Sequence, residues 1–192
     1  MTQFLGTHQN KLDGKGRVSV PAPFRAALRG AGGEEPAPAF RFVLRPSHKF
    51  RCIEVWPEAA FRALAAPLER MALFSDEHDD LTSALYADSF EAETDREGRI
   101  VLPDLLIAHA GLGQVVEFVG HGNIFRIWDP TVGARQRAES RARAHARGLT
   151  VTMGALPGGA LPGDALPGTA LPPPAPPVPA AAMSGDSGVA AP

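Results

Sequence analysis

Two copies of one short motif contain the residues best suited to contact phosphate. The motif reads Asp-x-x-Gly-Arg, then a three-residue strand pattern and a proline, and the copies begin at Asp13 and Asp95. The carboxylate of such an Asp can accept N–H groups of a tight turn and pair with an arginine four residues later. The motif therefore predicts two polar turns, each followed by a short strand that ends at the proline.

The two copies differ in the charges that surround the shared residues. Copy one has Lys11 and Lys15, whereas copy two has Glu93 and Glu97 at the same positions. A surface that binds nucleic acid needs cations to neutralise phosphates and release counterions, and glutamates would repel it. We therefore predict that copy one contacts DNA, and that copy two serves packing or assembly.

Roles follow for the individual residues of copy one. Lys11 and Lys15 are expected to contact phosphates. Arg17 is interpreted either as a DNA contact or as the structural partner of Asp13, and Asn10 precedes the turn at a place from which its amide could reach base edges. The residues predicted to hold the two turns are Asp13, Gly16, Asp95, Gly98 and Arg99.

The repeat continues beyond the turns. In each copy a short helix pattern follows the proline, and two strand patterns come next, the second ending in Trp56 or Trp128. The first strand of copy one, at 40–44, alternates Phe and Leu with Arg and Val, which predicts one buried and one exposed face. A match over this length indicates a duplicated β-rich unit.

Two helical regions lie outside the duplicated units. The connector at 57–91 is acidic, and its second helix is predicted to be capped by Ser75 and to offer Leu81 and Leu85 to an apolar stripe. Asp129 is predicted to cap a final helix, interpreted as a solvated face that could add nonspecific DNA affinity. Its arginines, opposed only by Glu139, are Arg135, Arg137, Arg141, Arg143 and Arg147.

Other features exclude several classes of site. The single cysteine, Cys52, excludes an internal disulfide and a cysteine metal cluster, and the six histidines lack metal-ligand spacing. No catalytic or nucleotide-binding motif is present, so we expect no enzyme, metal, cofactor or small-molecule substrate. No membrane span or secretion signal is visible, which favours the cytoplasm. The tail at 154–192, rich in Ala, Leu, Pro and Gly, is expected to be disordered.

Taken together, these features resemble the MraZ family over residues 1 to about 150: two Asp-x-x-Gly-Arg units, an acidic connector and strands that end in Trp. The resemblance implies an α+β, β-rich fold of tandem SpoVT-AbrB units. In that fold the swapped-hairpin units form an intrachain pseudo-dimer, with a helical connector and a C-terminal helix. The domains expected are a first unit at 1–56, the connector at 57–91, a second unit at 92–128, a basic helix at 129–150 and the tail at 154–192.

The resemblance also implies a function. MraZ proteins are transcriptional regulators that bind direct repeats in the promoter of the bacterial division and cell-wall gene cluster, with repression the expected effect. They form ring-shaped homo-oligomers and associate with the nucleoid. One turn offers too few cations for tight binding alone, which independently favours an oligomer. The alternatives are an antitoxin-type DNA-binding protein whose tail wraps a toxin, and a structural protein that assembles rings.

Overall fold

A six-stranded antiparallel sheet organises the part of the chain that this computed structural model describes, residues 3–29, 39–73 and 75–150. In spatial order its strands are β1 (Thr7–Lys11), β7 (Val115–His121), β8 (Ile124–Trp128), β4 (Ile53–Pro57), β3 (Arg41–Pro46) and β5 (Phe90–Glu93). A separate two-stranded ribbon pairs β2 (Arg17–Ser19) with β6 (Arg99–Val101). Strands from the two halves of the chain therefore pair with each other in both the sheet and the ribbon.

One helix follows each ribbon strand, further helices join the two halves, and a last helix follows β8. They are α1 (Ala22–Arg29), α2 (Glu58–Arg62), α3 (Ala65–Leu68), α4 (Asp76–Thr82), which continues as a π-helical turn (Ser83–Ala87), α5 (Asp104–Ala110) and α6 (Pro130–Ala146). The predicted caps are present: the Ser75 hydroxyl accepts the His78 N–H at 3.2 Å, and the Asp129 carboxylate accepts the Thr131 and Val132 N–H groups at 3.0 and 3.1 Å. The predicted tail at 154–192 lies outside the described residues.

The hydrophobic core lies between the inner face of the sheet and the ribbon with its two helices. Every second residue of the sheet strands points inward, as the alternation of a strand requires. Phe24 of α1 contacts Phe4 and Phe125 with ring centroids 5.3 and 5.1 Å apart. The buried residues that meet there include Phe42, Leu44, Ile53, Val55, Phe118 and Ile127 from the sheet, Val18 and Ile100 from the ribbon, and Leu106 from α5.

The outer face of the sheet is covered as well, which corrects the half-buried pattern predicted for β3. Val43 is 7 % exposed and Arg45 is 1 % exposed. Burial of an arginine costs free energy unless a carboxylate pairs with it, and alternation alone could not reveal such a partner. The partner is Glu54, which lies directly opposite on β4.

Glu54 lies between two arginines in a row that crosses three strands. Its carboxylate accepts from Arg45 Nε at 3.1 Å and from Arg126 of β8 at 3.1 Å. Arg45 also donates to the Ala84 carbonyl at 3.3 Å, which ties the π-helical turn to the sheet. Burial raises the pKa of Glu54, but the two arginines together with the hydrogen bonds donated by Ser47 and Trp56 outweigh burial, and the net pKa is lowered.

The apolar stripe predicted for the connector is wrong for Leu81, which is 38 % exposed, and Tyr86 is 37 % exposed. No residue of α4 is buried. The Tyr86 ring contacts Phe61 of α2 at 5.4 Å, and His78 and Thr82 of α4 are half-buried, whereas the other residues of α4 are exposed. The spacing of apolar residues fits a helix, but it did not indicate whether a neighbour within the chain covers them.

The final helix is also attached more firmly than a solvated face would be. Arg137 donates to both carboxylate oxygens of Glu117, which is 3 % exposed on the outer face of β7. Gly133 allows close approach, because an added Cβ would lie 3.0 Å from the Trp128 Cβ. Glu139 is therefore not the sole carboxylate partner of these arginines.

Reciprocal backbone hydrogen bonds hold the ribbon at its two glycine turns. Val20 N–H donates to the Gly98 carbonyl at 2.9 Å, and Leu102 N–H donates to the Gly16 carbonyl at 2.7 Å. Both glycines have positive φ, at +72° for Gly16 and +75° for Gly98. Each turn is thus fixed by the strand of the other copy.

The buried ion row predicts a large stability effect. Glu54→Ala should lower the free energy of unfolding by about 3–5 kcal/mol, because Arg45 and Arg126 would lose their counter-charge. Urea unfolding followed by tryptophan fluorescence measures the loss. The matched control is Glu58→Ala, whose partner Arg62 has a side chain 77 % exposed, and it should cost less than about 1 kcal/mol. Equal losses would contradict the role assigned to the row.

Alanine substitutions at three glycines should separate backbone strain from crowding. Each site has positive φ, which costs an L-residue about 1–2 kcal/mol. Gly122→Ala meets no atom within 4 Å and should show this cost alone. Gly98→Ala meets the flexible end of Arg25, whereas Gly16→Ala places its Cβ 2.7 Å from the Leu102 carbonyl oxygen. Thermal unfolding should rank Gly16→Ala as the most destabilising, and a rank below Gly122→Ala would refute the crowding.

Candidate nucleic-acid interface

In copy one a single carboxylate organises the turn. Asp13 Oδ1 accepts the backbone N–H groups of Lys15 and Arg17, both at 2.9 Å, and Asp13 Oδ2 accepts Arg17 Nε at 2.7 Å. The Arg17 N–H, with its side chain and the Lys15 N–H, lowers the pKa of Asp13 from 3.8 to about 2. Asp13 is therefore ionised at neutral pH and holds Arg17 against the turn.

Copy two repeats this geometry. Asp95 Oδ1 accepts the N–H groups of Glu97 at 3.0 Å and of Arg99 at 2.9 Å, and Asp95 Oδ2 accepts Arg99 Nε at 2.8 Å. The N–H and side chain of Arg99 lower the pKa of Asp95 in the same way. We call this Asp–Arg arrangement the clasp, one in each turn.

The clasps differ in what else binds the arginine. A terminal nitrogen of Arg99 pairs with both Asp95 and Glu97, and the hydrogen bond that Arg99 donates to the Asp95 carboxylate raises the pKa of Arg99. Arg17 donates through Nε to Asp13, and its terminal nitrogens make no hydrogen bond to any described residue. Lys15 stands where Glu97 stands in copy two and cannot neutralise Arg17.

The two clasps lie on one surface. In the ribbon Arg17 is opposite Val101 and Ser19 is opposite Arg99, so these four side chains share the face that points away from the core. Val101 is 57 % exposed. Comparison of the sequences alone assigned the copies different roles but did not reveal that their turns are neighbours.

Lys11 and Asn10 lie on opposite sides of β1. Lys11 is exposed on the outer face of the sheet, opposite Val115. Asn10 points toward the ribbon and donates its amide N–H to the Ser19 carbonyl at 2.6 Å. This bond joins β1 to β2, so the structure gives Asn10 a role in holding the hairpin. Asn10 could contact a base only if this bond broke or if its amide oxygen made the contact.

Arg25 is a residue of this surface that the motif comparison missed. It extends from α1 to the turn of copy two, where it donates to the Glu97 carbonyl at 3.3 Å and covers Gly98. In copy two the equivalent residue is Ile107 of α5, which would lie 3.5 Å from a Cβ on Gly16. In the sequence the only sign of a role for Arg25 is that Arg25 and Arg29 are four residues apart, which places both on one basic face of α1.

Metal-binding groups, the single cysteine and the helix lengths can also be described in these ranges. No group of three or more His, Cys, Asp or Glu side chains there is placed to hold a metal ion. Cys52 is buried, and burial raises the pKa of its thiol to about 12, so the thiol stays protonated at neutral pH. No helix in residues 3–29, 39–73 or 75–150 has the length and apolar character needed to cross a membrane.

The clasp of copy one can be tested by paired substitutions at Asp13. Asp13→Asn keeps an oxygen acceptor for the turn N–H groups but loses the charge that holds Arg17, whereas Asp13→Ala loses both. Amide hydrogen exchange at Lys15 and Arg17 should accelerate strongly in Asp13→Ala and only slightly in Asp13→Asn. The stability that the Asp13–Arg17 ion pair contributes in the wild type should be complete above pH 4 and should be lost as pH falls through about 2, since the folded-state pKa is depressed, and Asp13→Asn should lack this pH dependence in urea unfolding. Unchanged exchange in Asp13→Ala would exclude the clasp.

The known proteins to which this chain is similar carry one family name. The sequence model of a family described as "MraZ protein, putative antitoxin-like" matches residues 3–83 and 85–149. A "Transcriptional regulator MraZ" of Gluconacetobacter diazotrophicus is 56% identical over 146 residues, covering 75% of this chain and 89% of the relative. Proteins of the same name from Gluconobacter oxydans and Xanthobacter autotrophicus are 49% and 36% identical, covering 75% and 74% of this chain and 86% and 87% of those proteins. This chain therefore belongs to the MraZ family.

Proposed function

We propose that this protein is a DNA-binding transcriptional regulator whose clasp surface contacts the DNA backbone, with copy one as the main contact. The observation that carries the proposal is the difference between two otherwise matching clasps. Copy one has Lys15 in its clasp turn and Lys11 at the end of the strand before it, on the outer face of the sheet, whereas copy two has Glu97 and Glu93 at these positions. The name of the curated relatives supports the same function.

Arg17 is suited to bind phosphate because its clasp leaves part of the guanidinium available. Asp13 holds Nε, which fixes the direction of the side chain, and the two terminal nitrogens have no hydrogen-bond acceptor among the described residues. A planar guanidinium can bind two phosphate oxygens through such a pair of nitrogens. In copy two Glu97 occupies a terminal nitrogen of Arg99, so that arginine is partly neutralised.

The tandem SpoVT-AbrB organisation is part of the proposal. Pairing of β1 with β7, and of β3 with β5, connects the halves of the chain, as expected of swapped hairpins in an intrachain pseudo-dimer. Strand β4 ends at Pro57, one residue after the predicted boundary at 56, and β8 ends at Trp128, at the predicted boundary.

A homo-oligomer, ring-shaped by family resemblance, would supply the affinity that one subunit lacks. Each subunit offers two or three cations at copy one, whereas specific complexes need many phosphate contacts and base readout. Subunits that bind direct repeats together gain affinity through effective concentration. We propose repression at direct repeats in the promoter of the division and cell-wall gene cluster, in the cytoplasm and at the nucleoid, without enzyme activity.

An antitoxin function is the second candidate, since the family description includes the word antitoxin-like. It would use the tail at 154–192 to bind a toxin, and that segment lies outside the described residues. No contact among the described residues favours this candidate over the regulator.

A charge-reversal pair tests the DNA contact. Lys15→Glu should lower affinity at least about tenfold, because the new carboxylate removes a phosphate contact and can neutralise Arg17 as Glu97 neutralises Arg99. Glu97→Lys should not weaken binding. The measurement is a mobility shift at fixed salt with DNA from just upstream of the protein's own gene. Lys49→Glu, at an exposed position outside the clasps, is the charge-matched control. Equal weakening by Lys15→Glu and Glu97→Lys would overturn the assignment of copy one.

A further inference from the structure

Helix α4 carries an acidic segment that has no cover in the described part of the chain. Its carboxylates have no Lys or Arg partner among the described residues, and the one side-chain contact found there joins Asp79 to the ring of His78 at 3.4 Å. Leu81 is 38 % exposed beside them, and no residue of α4 is buried. The acidic segment consists of Asp76, Glu77, Asp79, Asp80 and Leu81.

The end of α6 carries a basic segment that is equally uncovered. The helix is anchored at Gly133 and Arg137, but nearly all residues beyond Arg137 are exposed. Arg143 pairs with Glu139 at 3.6 Å, whereas Arg141 and Arg147 have no carboxylate partner in the described residues. Leu149 is 60 % exposed. The basic segment consists of Arg141, Arg143, Arg147 and Leu149.

Each segment is suited to form one side of an interface with another protein surface. Helix α4 continues as the π-helical turn, which Arg45 and Phe61 hold to the rest of the chain, but no residue of α4 itself is buried. Such a helix gains stability when another surface covers it. The segments are complementary, since each combines uncompensated charge of one sign with an exposed leucine, and no ion pair joins them within the described residues.

We propose that the acidic segment of one copy docks against the basic segment of the next copy. This inference rests on the proposed homo-oligomer and names the surfaces that build it. Contact between two different surfaces is heterologous, so an open chain of subunits keeps one free acidic segment at one end and one free basic segment at the other until the assembly closes. Such a contact produces a ring when the rotation between neighbours closes, and the clasps of successive copies would then repeat around it.

Two charge-reversed variants test the docking, measured by light scattering after size-exclusion chromatography without DNA. The α4 variant carries Asp79→Lys and Asp80→Lys, and the α6 variant carries Arg141→Glu and Arg147→Glu. Each alone should need at least about tenfold higher concentration to assemble, because like charges would face each other. An equimolar mixture should assemble as the wild type does, since the reversed α4 of one variant is complementary to the reversed α6 of the other.

The control variant carries Lys49→Glu and Arg51→Glu, the same charge change as the α6 variant at exposed positions outside both segments and outside the clasps. It should assemble normally, and circular dichroism should show all three variants folded. Wild-type assembly by either reversed variant alone, no recovery in the mixture, or a monomeric wild type would overturn the proposal. If the wild type assembles but does not shift DNA in the mobility assay, the proposed function fails and the docking of the two segments stands.

Discussion

The reciprocal pairing of the two glycine turns is the constraint on which the rest of this structure depends. The Gly16 and Gly98 carbonyls each accept an N–H from the strand of the other copy, so neither turn is complete without its counterpart. An unpaired buried N–H costs about 1–3 kcal/mol, which favours forming both bonds together. Burial of Val18 and Ile100 against the sheet fixes the same ribbon through its side chains. The position of each clasp is therefore set by the whole fold and not by its own turn.

Because the backbone of both clasps is fixed in this way, the copies can diverge through side chains alone. Asp13 and Asp95 accept the same sets of N–H groups at nearly the same distances. Copy one has Lys15 where copy two has Glu97. The neighbouring arginine therefore pairs with one carboxylate in copy one and with two in copy two, while the turn stays the same. Charge is easily varied at such exposed positions, whereas the Asp and Gly of each turn are held by geometry.

Local interactions were predictable from the sequence, and interactions between distant strands were not. The Asp13–Arg17 pairing and the Ser75 cap span three or four residues, so their spacing is visible in the sequence. Arg45, Glu54 and Arg126 meet only through the register of β3, β4 and β8, which requires knowledge of the strand order. The contacts of Asn10 with Ser19 and of Arg25 with Glu97 likewise join different elements. For the same reason the sequence indicated cations near the first turn but did not place both clasps on one face.

Fusion of the two units in one chain has a consequence for the kind of DNA site that fits. A symmetric dimer must place identical residues in both turns, and its two-fold axis matches inverted repeats. Here one turn has Lys15 and the other has Glu97, so the pseudo-two-fold of the ribbon is broken at the surface that would meet DNA. A subunit with one cationic and one acidic turn has a direction along the duplex. In the proposed head-to-tail assembly identical subunits would preserve that direction, which suits the proposed direct repeats better than palindromes.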